Sequence, residues 1–357
     1  MTYVVFKNFI MKLYNCTNCN NALYFENSAC LNCKHTVGFD VSRFSLPALD
    51  SYPNGYSLVN TKEVIYRFCS NAVHGTCNWL IPASQESSFC RACELNRIIP
   101  ELSTVENQLK WQRIEIAKHR LVYSLLRLKL PVKPKLTLDQ PDGIAFDFLA
   151  NNSPTERVMT GHDNGVITLN IEEADDMERT RHKLDLGEKY RTLLGHFRHE
   201  IGHYYWDVLI KGGPHLQRYR QLFGDEQRDY SEALQTYYTT ATPTNWNESY
   251  ISPYASAHPW EDWAESWAHY MHMMDTLETA WSFGIGIHRR NMEAEIDHDP
   301  YTITDFNTIV SMWFPLTFAV NSLNRSMGHA DFYPFIISEK VIEKLKFIHE
   351  LCGALPR

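Results

Sequence analysis

The stretch His199-Glu200-Ile201-Gly202-His203 lies in an apolar run whose periodicity predicts a helix over about residues 187–211. Residues four apart share one face of a helix, with about 5–6 Å between their Cβ atoms. Both imidazoles can therefore reach one metal ion, and the adjacent Glu200 carboxylate can act on water at that ion. Two neutral nitrogen ligands beside a general base are the arrangement that a zinc peptidase uses.

A third ligand is needed, because a catalytic zinc takes three protein ligands and keeps one open position. The best candidate lies on a second helix, which Pro259 opens. The predicted buried stripe of that helix consists of Trp260, Trp263, Trp267, Met271 and Met274. Glu261 and Glu265 share another face, one turn apart. We therefore predict Glu261 as the metal ligand and Glu265 as the partner that orients a ligating histidine.

Hydrolysis of a peptide bond also needs a hydrogen-bond donor for the oxyanion. Tyr254, on the loop that enters the second helix, is the candidate, with His258 behind it. Each has a simpler interpretation. A tyrosine beside Pro253 often only packs, and His258 is also suited to the entry of the helix.

Eight of the nine cysteines fall within the first 93 residues, which favours structural metal sites over disulfides. Two Cys-x-x-Cys knuckles form the first cluster, which is Cys16, Cys19, Cys30 and Cys33. The second cluster is Cys69, Cys77, Cys90 and Cys93. Its first pair is widely spaced, so one of the two could be free, or His74 could substitute. Four thiolates close a tetrahedral zinc site and leave no position for water.

Composition places the chain among ordinary globular proteins, with 357 residues, 44% hydrophobic and 21% charged. The formal net charge of −8 argues against nucleic acid as the main partner. Residues 1–100 carry eight Lys+Arg and six Asp+Glu, and each Zn(Cys)4 centre would add about −2. A protein partner is therefore the better expectation for the cysteine-rich segment.

Neither a membrane span nor an export signal is expected. The longest apolar run, 308–320, is too short and contains Pro315. The start of the chain lacks the features of a signal peptide, so we expect the protein to be located in the reducing cytoplasm. Residues 1–10 read as an extension ahead of the first domain.

Three regions follow from these patterns: a cysteine-rich region over 1–100, a linking helix over 101–134 and a larger domain over 135–357. The linking helix is expected to begin with a capping box of Ser103 and Glu106. In the larger domain, alternation predicts strands over 144–148 and 165–171. A helix is expected over 216–239 and a loop over 321–335.

Several segments together carry a resemblance to known proteins. The pattern of Glu200 between its two histidines, followed by Glu261-x-x-x-Glu265, resembles the gluzincin clan of zinc metallopeptidases. Some members of that clan also have a tyrosine seven residues before the glutamate ligand, which is the spacing of Tyr254. More closely, the chain resembles a bacterial family of zinc-binding metallopeptidases with an N-terminal zinc ribbon. The matching segments are CTNC…FENSACLNC, CNWL…FCRACELN, GHFRHEIGHYYWD, FGDEQRDYSEAL, SPYASAHPWEDWAESWAHY and NSLNRSMGHADFYPF.

The resemblance implies an α+β chain in which a zinc-ribbon module of small β structure precedes a mostly helical, zincin-like domain with a small sheet. It also implies peptidase activity on a peptide or protein. The expected function is zinc-dependent hydrolysis with Glu200 as general base, one catalytic zinc and two structural zincs. One alternative is a non-enzymatic interaction module, in which the ribbon binds a protein and the zincin domain is a scaffold. A second is a protease for a single tagged or processed polypeptide.

Overall fold

The cysteine-rich region is built from short antiparallel strands. The computed structural model describes residues 13–61, 63, 65–151, 158–175, 192–240 and 243–355. The predicted extension over 1–10 and the predicted helix start over 187–191 lie outside these residues. A hairpin of β1 and β2 precedes a five-stranded antiparallel sheet in the order β3-β4-β5-β6-β7. The strands are β1 (Leu13–Asn15), β2 (Ala22–Tyr24), β3 (Thr36–Val37), β4 (Ala48–Tyr52), β5 (Gly55–Leu58), β6 (Tyr66–Phe68) and β7 (Leu80–Pro82).

A long helix, α1 (Val105–Arg127), follows this region where a linking helix was predicted. The predicted capping box is wrong. Thr104 is the N-cap and accepts the Asn107 backbone N–H, whereas the Ser103 hydroxyl and backbone N–H both bond the Glu101 carboxylate. The inner face of α1 belongs to one hydrophobic cluster that includes residues from both the cysteine-rich region and the C-terminal helices.

A four-stranded sheet joins the two halves of the chain in the order β10-β11-β9-β8. Its strands are β8 (Asn96–Ile98), β9 (Ala145–Leu149), β10 (Gly161–Asp163) and β11 (Val166–Asn170). β9 and β11 lie within two residues of the strands predicted from alternation. β8 comes from the cysteine-rich region and pairs in parallel with β9, so the sheet crosses residue 100. The division of the chain into three domains stays a prediction.

The rest of the described chain is mainly helical, which confirms the predicted fold class. The helices are α2 (Leu193–Leu209), α3 (Leu216–Phe223), α4 (Tyr230–Thr239), α5 (Pro259–Ser282), α6 (Phe306–Ser326) and α7 (Glu339–Gly353), with a hairpin of β12 (Ile287–Arg289) and β13 (Met292–Ala294) between α5 and α6. None of the described helices combines the length and the apolar character needed to cross a membrane.

Two predictions about these elements are wrong. The helix expected over 216–239 is broken at Gly224, which has a φ of 105° and faces the Pro259 ring. A left-handed φ ends a helix readily at glycine, and the chain restarts as α4 with Asp229 as its N-cap. The loop expected over 321–335 is helical as far as Ser326, so α6 continues about two turns beyond Val320, its last side chain that packs on the hydrophobic cluster.

The close packing of α2 against α5 positions the candidate site. Gly202 lets the two helices approach, since a Cβ atom there would lie 3.1 Å from the Ala264 Cα atom. The Trp263 indole donates to the Gly202 carbonyl oxygen at 2.8 Å, and the Trp267 ring stacks on Tyr205 with centroids 5.1 Å apart. Both tryptophans are fully buried, as the predicted stripe required.

Candidate active site and metal centres

His199 and His203 on α2 converge with Glu261 in the first turn of α5. Their ligand atoms all lie within 4.8 Å of one another. His203 and Glu261 are buried, and the His199 side chain is 12% exposed. The two Nε2 atoms are 3.2 Å apart, and the Glu261 Oε2 atom lies 3.0 Å from Nε2 of His199. The other carboxylate oxygen, Oε1, lies 3.6 Å from Nε2 of His203. The structure therefore brings together the three residues that were predicted as ligands.

Glu265 lies behind this cluster, one turn further along α5. Its Oε1 atom is 2.7 Å from Nδ1 of His199, and its Oε2 atom accepts the Ser252 hydroxyl at 2.6 Å. A carboxylate in this position fixes the proton of His199 on Nδ1 and leaves the Nε2 lone pair pointing into the cluster.

The donor set fits a zinc ion. Tetrahedral zinc with Zn–N bonds of about 2.0–2.1 Å holds two nitrogen ligands about 3.3 Å apart, and the two Nε2 atoms have nearly that separation. The Glu261 Oε2 atom is buried and has no hydrogen-bond partner among the described residues. Facing lone pairs in a buried space are satisfied by a proton or by a metal ion, and these three donors are of the types that zinc binds.

The charges of the cluster reinforce one another. Burial alone would lower the pKa of His199, but the nearby carboxylates of Glu261 and Glu265 outweigh burial and hold that pKa well above its usual value. A metal ion bound at Nε2 would take the place of the second imidazole proton, because metal binding releases protons from its ligands. Burial alone would raise the pKa of Glu261, but the neighbouring His203 and His199 hold it well below its usual value. Glu261 is therefore an anion, and its charge suits it to bind a divalent cation.

Glu200 and Tyr254, the predicted general base and hydrogen-bond donor, lie next to His199 in sequence and in space, respectively. Glu200 follows His199 on α2 and is 7% exposed. Tyr254 begins a short 3-10 turn, and its ring centroid lies 6.1 Å from that of His199. Burial, reinforced by the charge of Glu261, raises the pKa of Tyr254, so its hydroxyl keeps its proton and can donate. The structure thus places the Tyr254 ring beside a predicted ligand, and Glu200 is the buried residue that follows this ligand on α2.

His258 is the N-cap of α5, and backbone groups engage both of its ring nitrogens. Nδ1 accepts the Trp260 backbone N–H at 3.1 Å, and Nε2 lies 3.1 Å from the Arg228 carbonyl oxygen, to which it donates. Burial lowers the pKa of His258, in agreement with this neutral arrangement. These contacts match the helix-entry interpretation and link the start of α5 to the start of α4.

Two residues at the cluster were missed by sequence reasoning. Tyr230, the first residue of α4, donates its hydroxyl to Glu261 Oε1 at 2.7 Å. His162, on the edge strand β10, stacks 6.3 Å from His203 and accepts the Gly165 N–H on Nε2 at 2.9 Å. Neither residue lies at a recognisable spacing from the motif of His199 to His203. The glycine at position 224, where the chain turns before α4, gave only a weak sequence signal that Tyr230 would approach the cluster.

The eight N-terminal cysteines form two groups of four, each with its sulfurs within 4.8 Å of one another. The Sγ–Sγ distances are 3.6 Å for Cys16 to Cys33, 3.6 Å for Cys19 to Cys30 and 3.7 Å for Cys77 to Cys90. Zinc with Zn–S bonds of about 2.3 Å would hold its sulfurs about 3.8 Å apart. None of the cysteines is in a disulfide.

The second group includes both Cys69 and Cys77, while His74 packs its ring on Trp111 at 5.6 Å. A histidine that sequence reasoning did not identify, His119 on α1, reaches this group with Nε2 3.6 Å from the Cys93 sulfur. Burial lowers the pKa of His119, but the neighbouring Cys93 thiolate outweighs burial and raises it. A cationic imidazole would partly balance the charge of four thiolates.

Comparison with known proteins agrees with this geometry. Residues 107–351 match the family described as "Putative zinc-binding metallo-peptidase", and residues 13–104 match a zinc-ribbon domain. Uncharacterized proteins of Mycobacterium bovis and of two strains of Mycobacterium tuberculosis are 42% identical to this chain over 340 residues, which cover 95% of it and 94% of each relative. No solved structure matches. The chain therefore belongs to this zinc-binding metallo-peptidase family and carries a zinc ribbon at its N-terminal end.

Proposed function

We propose that this protein is a zinc-dependent peptidase that hydrolyses peptide bonds in peptides or proteins. The observation that carries the proposal is the convergence of two imidazole nitrogens and one buried carboxylate oxygen, with Glu200 beside them. His199, His203 and Glu261 would hold the ion. Zinc bound there would make water more acidic and polarise the scissile carbonyl group.

The residues of the chain would handle the protons. Glu200 takes a proton from the attacking water while the water oxygen bonds to the carbonyl carbon and the C=O π electrons move onto oxygen. Tyr254 donates a hydrogen bond to the resulting oxyanion. When the C–N bond breaks, the oxyanion lone pair restores the C=O bond and Glu200 delivers its proton to the leaving amine. Glu265 and Ser252 keep His199 oriented throughout.

The two cysteine groups would each hold a structural zinc, so we propose three zinc ions per chain. In this proposal the ribbon would bind a protein partner or the substrate. None of the nine cysteines is in a disulfide, and this supports a reducing compartment such as the cytoplasm.

The substitution Glu200→Gln tests the proposal. It keeps the ligands but removes the general base, so we expect normal zinc content and a loss of turnover of about 10²–10⁴-fold. Protein termini are compared by mass spectrometry in cells that carry wild type, Glu200→Gln or the control Asp207→Asn on the same helix. Termini that depend on Glu200 would identify substrates, including a single processed polypeptide. If zinc is bound but Glu200→Gln changes neither termini nor phenotype, the non-enzymatic scaffold is the correct interpretation.

A further inference from the structure

The two carboxylate oxygens of Glu261 have different surroundings. Oε1 accepts the Tyr230 hydroxyl at 2.7 Å and lies 3.6 Å from Nε2 of His203. Oε2 lies 3.0 Å from Nε2 of His199 and, among the described residues, receives no hydrogen bond. A carboxylate with one oxygen already bonded to a hydroxyl offers the other oxygen more readily to a metal ion.

We propose that Tyr230 is a positioning residue that makes Glu261 bind zinc through Oε2 alone. This inference rests on the proposed function, because it assumes that zinc occupies the cluster. Binding through one oxygen keeps three protein ligands on the ion and leaves the fourth position open for water. Binding through both oxygens would occupy that position.

The Tyr230 ring is held by residues at the start of α5, the helix that carries Glu261. Its centroid lies 5.3 Å from that of His258 and 5.8 Å from that of Trp260, with both contacts edge to face. The His258 bond to the Arg228 carbonyl oxygen holds the backbone two residues before Tyr230. The hydroxyl therefore meets the carboxylate because residues 258 and 260 fasten the start of α4 against the start of α5.

The test uses the full-length zinc protein with Tyr230→Phe, which removes the hydroxyl and keeps the ring. Affinity for the catalytic zinc is measured by chelator competition, and the coordination number is followed in the visible spectrum after cobalt replaces that zinc. We expect zinc to bind about 10–100-fold more weakly. We also expect the cobalt bands to lose intensity, because five-coordinate cobalt absorbs less strongly than tetrahedral cobalt.

Tyr219→Phe is the matched control. The Tyr219 hydroxyl donates to the Pro259 carbonyl oxygen at 2.8 Å, so it supports the same helix start without touching a ligand. We expect this variant to keep the zinc affinity and the cobalt spectrum of wild type. His258→Asn gives a second approach. Asparagine still caps a helix but is too short to reach Arg228, so zinc binding should weaken in the same direction and by less.

The possible results separate this inference from the proposed function. A wild-type protein that binds no zinc at the cluster would remove the proposed function itself. Zinc bound equally well by wild type and Tyr230→Phe, with unchanged cobalt spectra, would overturn only the role of Tyr230. The same holds if Tyr219→Phe reproduces the effect of Tyr230→Phe, because the loss would then reflect the helix start rather than the carboxylate.

Discussion

The zinc ribbon (residues 13–104) and the helical region (α2 to α7) bring their metal-ligating side chains together by opposite means. In the ribbon, the ligands come from turns between strands of only two to five residues. In the helical region, the ligands stand on helices of 17 and 24 residues that pack directly against each other. The first arrangement depends on local backbone turns, and the second depends on the contact between distant segments.

This difference indicates where metal contributes to folding. The α2–α5 contact is apolar and tightly packed, so the positions of His199 and Glu261 are set by Trp263, Trp267 and Gly202 before any ion binds. The β1–β2 hairpin of the ribbon has only two strands of three residues each, which is marginally stable at best, and structural zinc supplies folding free energy directly. The ribbon should therefore need its zinc to fold, whereas the helical site should not.

Removing ligands from each region tests this contrast and should produce the largest effect. Structural zinc contributes about 10–16 kcal/mol in zinc-finger peptides, so Cys30→Ser with Cys33→Ser should unfold the ribbon hairpin. His199→Ala with His203→Ala should lose one of about three zincs while the helices stay folded. Metal analysis, hydrogen exchange and circular dichroism would report both results. Equal unfolding in the two variants would contradict the contrast.

A methyl group at the helix contact should have a smaller effect. In Gly202→Ala, the new Cβ atom would lie 3.1 Å from the Ala264 Cα atom and 3.2 Å from the Trp267 Cβ atom. One of these contacts is with backbone, which cannot rotate away, so we expect an overpacking cost of about 2–3 kcal/mol against a helix-propensity gain of about 1 kcal/mol. We expect a net loss of about 1–2 kcal/mol in the free energy of unfolding and weaker binding of the catalytic zinc, both measured by denaturant titration with and without metal.

Gly353→Ala is the control for Gly202→Ala, because it also adds a methyl group to a helical glycine but no atom lies within 4 Å of it. This control should be neutral or slightly stabilising. A Gly202→Ala protein as stable as wild type would show that the two helices can separate without cost, and that packing does not set the ligand positions.

The smallest predicted effect concerns pH. Burial lowers the pKa of His269 to about 4, only partly offset by the charge of Glu265. As pH falls below about 6.5, His269 of the unfolded chain binds a proton while His269 of the folded chain stays neutral. The free energy of unfolding therefore decreases by about 1.4 kcal/mol per pH unit until pH reaches the pKa of the folded state. The pKa of His119, which α1 places against the second cysteine group of the ribbon, is shifted in the opposite direction. Of these two histidines, only His269 is therefore expected to lower the stability of the folded protein as the pH falls.

The measurement compares urea unfolding of wild type and His269→Gln, both loaded with zinc, at pH 7 and pH 5.5. Wild type should lose about 1 kcal/mol more than the variant between these values. Using the difference between the proteins cancels the effect of pH on zinc binding, which both share. An identical pH dependence in the two proteins would mean that His269 is not buried as a neutral side chain.

Much of the candidate site follows from spacing in the sequence. The periodic apolar run placed Glu200 and its two histidines on a helix, and Pro259 marked the start of the helix that carries Glu261 and Glu265. The contact between these two helices was inferred from the chemistry of zinc, not from any local pattern. Sequence reasoning missed three residues because each contacts its partner from a segment that is distant in sequence: Tyr230, His162 and His119.

Local spacing was sufficient to pair Cys16 with Cys19 and His199 with His203, because a single turn of backbone closes each pair. It could not predict which oxygen of Glu261 receives the Tyr230 hydroxyl, or that His119 lies against Cys93. Those contacts join segments that are 31 and 26 positions apart in the chain. The burial of side chains from many elements at once supplies the free energy for such contacts, so they become visible only when the whole chain is packed.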